Sequence, residues 1–218
     1  MHKSIINLIE IEKKIHLKNT IQNLKTKIIA VSKTFPLENI FPLINHGHID
    51  FGENKVQEAI EKWTEIKKKN SNIKLHMIGK LQTNKVKFVI PLFDYIHSLD
   101  NIKLAKKISS EEKKLNKKLK IFIQINIGNE EQKSGIGIDE IENFYNICVH
   151  ELNLDIIGLM CLPPKNLKVD NYFSKMKKLR SKINVKELSM GMSDDYLEAI
   201  NHEASFVRIG SKIFGNRN

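Results

Sequence analysis

The chain has 218 residues, 41% of them hydrophobic and 28% charged, with a formal net charge of +11. That length suits one sizeable core and is short for two domains, and no apolar run approaches the roughly 20 residues a membrane-spanning helix needs. Glu10, Glu12, Lys13 and Lys14 interrupt the N-terminal segment before the apolar stretch of an export signal can form, so a cytoplasmic protein without membrane attachment is expected.

Cys148 and Cys161 are the only cysteines, and neither belongs to a CxxC or a Cys/His cluster, so both read as reduced structural thiols. His46-Gly47-His48 has no third ligand nearby, and no metal site is expected. The positive charge raises a nucleic-acid hypothesis. Yet 33 of the 36 basic residues are lysines, spread through nearly every helical segment and not gathered into a stripe, which fits solvated helix faces better. Arginine occurs only at 180, 208 and 217, and two of these fall in the last eleven residues, where a planar bidentate donor has a use that lysine cannot fill.

In chain order, a first amphipathic segment over 5–17 precedes the strands and is placed to cap the bottom of a barrel. Eight apolar, β-branched runs follow, at 28–32, 49–52, 75–79, 95–98, 121–127, 156–160, 187–190 and 206–210. Amphipathic stretches at 56–69, 102–117, 139–151, 172–183 and 194–202 lie between them; in the first, Val56, Ala59, Ile60, Trp63 and Ile66 follow helical spacing. Strand–helix alternation implies parallel strands with crossover helices, and eight rounds of it predict a closed (β/α)8 TIM-type barrel with an extra N-terminal helix. No linker, low-complexity tract or internal repeat interrupts the chain, so one domain is expected over 1–218.

In such a barrel the working face lies at the C-terminal ends of the strands. Those ends carry Lys33, Glu53-Asn54, Gly79, Ser98, Asn126, Met160, Ser189 to Ser193 and Arg208 to Ser211. Lys33 follows Ile-Ile-Ala-Val-Ser and precedes Thr34-Phe35-Pro36; partial desolvation there favours the free amine and attack on a carbonyl. Asn54 reads equally as a helix N-cap or as an amide aimed at a bound cofactor. Gly79 permits close backbone approach at the rim, and His76, with apolar neighbours, reads as a satisfied interior histidine. Ser189, Ser193, Gly210 and Ser211 fall on the last two loops, where barrels often build a phosphate site. Ser193 also reads as an N-cap, and Asp194 and Asp195, unwelcome beside a phosphate, are expected to face away. No Ser/His/Asp triad, P-loop, GxGxxG or HExxH is present.

The strings AVSKT (30–34), FGENKVQE (51–58), HMIGKLQTNK (76–85), HSLD (97–100), EEQKSGI (130–136), GLMCLPP (158–164), LSMGMSDD (188–195) and VRIGSKIFGNR (207–217) resemble, in order, the pyridoxal phosphate homeostasis protein family. Lys55, Lys80 and Glu203-Ala204-Ser205 depart from its usual pattern. The resemblance implies a barrel like the N-terminal domain of alanine racemase, with pyridoxal 5′-phosphate (PLP) held as a Schiff base on Lys33. It places the phosphate around Ser189, Ser193, Gly210 and Ser211, and Arg208 near the pyridine nitrogen. An always-charged donor cannot hand that nitrogen a full proton, so the cofactor would be a poor electron sink. The resemblance further implies a cofactor-handling protein in vitamin B6 balance, without catalysis and without the second domain of alanine racemase; an amino-acid racemase-like enzyme is the alternative. PLP-dependent enzymes are the expected partners, and a monomer is expected.

Overall fold

The computed structural model describes residues 1–22, 24–130, 132–164 and 168–215; Asn216 and Arg217 lie outside them. Eight strands, β1 (Lys27–Val31), β2 (Asp50–Glu53), β3 (Lys74–Met77), β4 (Tyr95–Leu99), β5 (Lys120–Ile125), β6 (Asp155–Cys161), β7 (Glu187–Ser189) and β8 (Phe206–Ile209), pair in sequence order into a closed parallel barrel. Each apolar run named from the sequence forms its strand. Parallel strands with helices outside bury both faces, which is why these runs are nearly continuously apolar.

The two faces differ in what they pack against. On β1, Ile28 and Ala30 join the large cluster between sheet and helices, whereas Ile29 points into the barrel with Tyr95, Phe122, Met160 and Phe206. The interior rings are ordered: His76 stacks on Tyr95 at 4.2 Å between centroids, His97 on Phe122 at 4.3 Å, and Phe206 meets Phe122 edge-on at 5.4 Å. The barrel is therefore filled by side chains, like others of its size.

The helices that follow the strands are α2 (Leu37–Asn45), α3 (Val56–Lys69), α4 (Val86–Leu92), α5 (Ile102–Leu115), α6 (Ile141–Asn146), α7 (Asp170–Lys182), α8 (Tyr196–Asn201) and α9 (Ser211–Phe214). α6 runs on through a wider turn at Ile147–Glu151, in which Leu152 N–H donates to the Ile147 carbonyl. The sequence pattern passes over α2 and α4, each of which contains a proline, Pro42 and Pro91, and α9, which is a single turn.

The first helix, α1 (Lys3–Gln22), does not cap the barrel's bottom. It buries Leu8, Ile11 and Ile15 and packs beside α2, α8 and α9. Asn7 Nδ2 donates to the Ile213 carbonyl at one end of α1, and Lys18 Nζ donates to Asn201 Oδ1 toward the other. The physical reason is vacancy in the ring of helices. The described element after β8 is one turn long, and α1 packs on it and on the neighbouring α8 and α2.

Gly158 on β6 lies opposite Glu187 on β7, and a Cβ there would sit 2.1 Å from the Glu187 carbonyl oxygen. The Cβ is fixed to the backbone of one strand and the oxygen belongs to the backbone of the next, so in a closed barrel neither can swing aside. Gly158→Ala is expected to lower the unfolding free energy by roughly 2–3 kcal/mol, measured by urea denaturation.

Candidate functional site

A cleft of about 1260 Å³ opens at the C-terminal ends of the strands, and Lys33, Asn54, Ser193, Arg208, Gly210 and Ser211 all line it. These positions span residues 33 to 211, and closure of the sheet between β1 and β8, with Ile29 opposite Arg208, brings the two ends of that span together. Ser189 is the exception among the residues marked from the sequence. It is fully buried beneath the cleft, and its hydroxyl is engaged by His97 and Arg208.

Lys33 sits on a tight turn just past β1, half-buried, before Thr34 in a left-handed conformation with φ of 66°. The turn is clamped from α3. Lys62 Nζ donates to the carbonyls of Ser32 at 2.9 Å and Phe35 at 3.2 Å, and Thr34 N–H donates to Glu58 Oε1. Lys62 also pairs with Glu58 at 2.7 Å and with buried Glu53 at 2.9 Å. Glu53 therefore leaves the rim: it points outward, accepting from Ser32 Oγ and Trp63 Nε1, and burial raises its pKa. The stacking of Phe35 on Phe214 at 4.8 Å ties the same turn to α9.

Asn54 is not the N-cap of α3; Lys55 holds that position, which frees the Asn54 side chain for the cleft it lines. Gly79 explains itself here, since a Cβ would lie 2.3 Å from the Asn54 carbonyl oxygen. At the opposite end of the cleft Ser211 Oγ donates to Ser193 Oγ at 3.0 Å, next to Gly210 and the first turn of α9. Ser193 is likewise no N-cap, a place taken by Asp195, whose Oδ1 accepts from Met192 N–H. Asp194 departs from expectation: it is exposed but lines the cleft.

Arg208 presents a buried guanidinium to the floor. Nη1 donates to the Ser189 carbonyl at 2.7 Å and to Ser189 Oγ at 2.8 Å, and Nη2 donates to the Cys161 carbonyl at 2.9 Å. Below it His97 Nδ1 meets Ser189 Oγ at 2.9 Å, His97 Nε2 meets His76 Nδ1 at 2.9 Å, and His76 Nε2 meets Asp50 Oδ1 at 3.0 Å. Burial holds His97 well below the usual imidazole range and lowers His76 against the opposing pull of Asp50. Cys148 and Cys161 are buried thiols, each pushed up to about 12 by burial, as inert structural cysteines should be.

Several lining residues gain no role of their own from the sequence. Glu130 and Lys133 pair across the loop after β5, which Asn126 pins by accepting from Glu130 N–H and donating to the Glu130 carbonyl. Exposed Met192 and Leu162 give the mouth an apolar edge. Lys62 and Glu58, an i,i+4 pair on α3, are not singled out by the sequence, and only the fold shows what they grip.

The chain matches the family described as "Alanine racemase, N-terminal domain" over residues 6–218. A pyridoxal phosphate homeostasis protein of Aquifex aeolicus is 37% identical over 200 residues, 88% of this chain and 87% of that one. The protein of the same name from Buchnera aphidicola subsp. Schizaphis graminum is 36% identical over 230 aligned residues, 100% and 99% of the two chains. The structure of PipY from Synechococcus elongatus PCC7942 with PLP bound superposes with a TM-score of 0.80 at 29% identity, covering 93% of this chain and 99% of PipY. Alanine racemase of Clostridium difficile 630 shares the fold, with a TM-score of 0.74 at 16% identity over 57% of its length.

The neutral interior histidines set a pH dependence of stability. Unfolded, both rings take up protons as pH falls below about 6.5; folded, His76 and His97 resist protonation. Unfolding therefore binds protons in that range, and stability is full above it and declines as pH drops through it. Urea unfolding between pH 7.5 and 5.5, above the carboxylate range, should show a loss of up to roughly 1.4 kcal/mol per pH unit for each ring. Unchanged stability across that interval would mean that the rings are charged in the fold.

Proposed function

We propose that this chain, which belongs to the pyridoxal phosphate homeostasis protein family, binds PLP in the rim cleft through Lys33 and handles the cofactor without turning over amino acids. The observation that carries the reading is the convergence on one cleft of an amine, a pair of hydroxyls and a buried guanidinium.

The residues fit the group. A cleft of about 1260 Å³ exceeds what a cofactor of that size occupies. Ser193 and Ser211, with the backbone around Gly210, offer hydrogen-bond donors for a phosphate at one end. Arg208 offers a donor for a ring nitrogen on the floor, Asn54 an amide on the wall, and Lys33 an amine for a carbonyl. Bound there, PLP supplies that carbonyl and an electron-withdrawing ring.

What this chain's own residues do with the ring argues for holding. A guanidinium donates hydrogen bonds and keeps its protons, so Arg208 leaves the ring nitrogen without full positive charge and weakens the electron withdrawal that carbanion chemistry needs. Lys62 and Glu58 fix the turn that presents Lys33, so the amine is offered from a rigid base. PLP-dependent enzymes are the partners this reading implies, and transfer of cofactor to them is its physiological content.

The test is covalent. After addition of PLP and reduction with borohydride, mass spectrometry is expected to find the label on Lys33, and Lys33→Ala to remove it; labelling elsewhere, or undiminished labelling of the variant, overturns the proposal. Exchange of the α-proton of alanine in deuterated buffer is expected to run no faster than with free PLP. Ser211→Ala is expected to weaken PLP binding roughly tenfold, the effect of about 1.5 kcal/mol for one hydrogen bond to a charged group.

A further inference from the structure

We propose that Asp50, His76, His97 and Ser189 form a one-directional hydrogen-bond chain along the barrel interior that positions the guanidinium of Arg208. The inference deepens the reading above: it rests on Arg208 facing a cofactor ring, and it assigns positioning residues to that contact.

The direction follows from the two ends. Arg208 can only donate, so Ser189 Oγ accepts from Nη1 at 2.8 Å. The hydroxyl then has one proton to give, and it gives it to His97 Nδ1 at 2.9 Å. With Nδ1 accepting, a neutral His97 carries its proton on Nε2 and donates to His76 Nδ1 at 2.9 Å. His76 is then also the Nε2–H form and donates to Asp50 Oδ1 at 3.0 Å, and a carboxylate can only accept. A cation that only donates and an anion that only accepts leave one arrangement of protons. All four ring nitrogens are used, each once, and burial keeps both rings neutral.

Packing fixes the rings as firmly as the protons. His76 lies flat on Tyr95 and His97 flat on Phe122, so neither imidazole can flip without unstacking. The chain begins at the first residue of β2, where Asp50 lines a separate groove of about 300 Å³ with Glu12, His16, Asn19, Lys27 and His48. It ends at the rim cleft, so it spans the barrel from one mouth to the other. An apolar filling would hold the same volume without three desolvated polar side chains. What the polar chain adds is a guanidinium whose plane and donors are set in advance.

Three measurements on the full-length protein decide it. In protein labelled with ¹⁵N-histidine, without cofactor, His76 and His97 are expected to be neutral Nε2–H tautomers at pH 7; a charged ring or an Nδ1–H tautomer overturns the chain. In the same state the Nη signals of Arg208 are expected to be separate and slowly exchanging. They should collapse in Ser189→Ala and return in Ser189→Thr, which restores the hydroxyl. Signals indifferent to the substitution overturn the positioning role. With PLP, Ser189→Ala is expected to weaken binding fivefold or more and to shift the long-wavelength absorption band, while Ser189→Thr and Asp50→Asn, which keep an acceptor at each link, stay within twofold. Binding and spectrum unchanged in Ser189→Ala also overturn it. If the unaltered protein fails to bind PLP, the functional reading falls, and the two cofactor-free measurements still decide the chain.

Discussion

A charge that cannot be neutralised has to be answered wherever it is buried, and the guanidinium of Arg208 is the charge this barrel is arranged around. Some of its donors are met by the carbonyls of Ser189 and Cys161 and by the Ser189 hydroxyl, on the two strands that precede β8 in the sheet. From Ser189 the requirement passes inward, because a hydroxyl that accepts from arginine must still place its own proton. Two neutral histidines and an aspartate complete the account. This polar line runs through an interior lined by Ile29, Tyr95, Phe122, Met160 and Phe206, with each imidazole lying against a ring. Buried polar groups of this kind specify a structure when every member is satisfied and destabilise it when one is not.

A second, half-buried charge governs the outer layer. Lys62 reaches from α3 to Glu53, Glu58 and two carbonyls of the turn that bears Lys33. The same ammonium compensates a carboxylate and grips the turn in which Thr34 takes a left-handed conformation that threonine seldom adopts. The two ion-centred arrangements meet at the seam between β1 and β8, one presenting an amine and the other a planar donor to a common cleft.

The strands were legible in the sequence because β-branched runs ending in glycine, amide or hydroxyl residues are a strong local pattern, and eight of them in alternation with helices leave little choice of topology. The rim could be read for the same reason, since strand ends define it. Where the reading failed, the missing information was three-dimensional. Ser189 lies at a strand end but one level below the cleft, and only the pairing of β7 with Phe206 of β8 fixes its height. His76 read correctly as an interior histidine, but its link to His97 depends on barrel closure and inward register. Glu53 looked like a rim acid until Trp63 and Lys62 drew it to the other face. α2 and α4 hid behind their prolines, and the position of α1 depends on α8 and α9, far along the chain, which no property of α1 itself announces.

That seam also sets an order of events. Lys33 is made well before Arg208 and Ser211, its neighbours in the cleft, and α1, which packs on the nearby α2, meets its other partners α8 and α9 only after most of the chain has followed. Contacts so distant along the chain are slow to form, because the loop between them must be closed before any of them rewards it. A nascent chain that has emerged only through β7 carries the lysine on an open sheet edge, with an exposed amphipathic helix and no cleft. The cleft thus requires the eighth strand in place between β7 and β1, because that docking is what sets Arg208 and Ser211 across from Lys33.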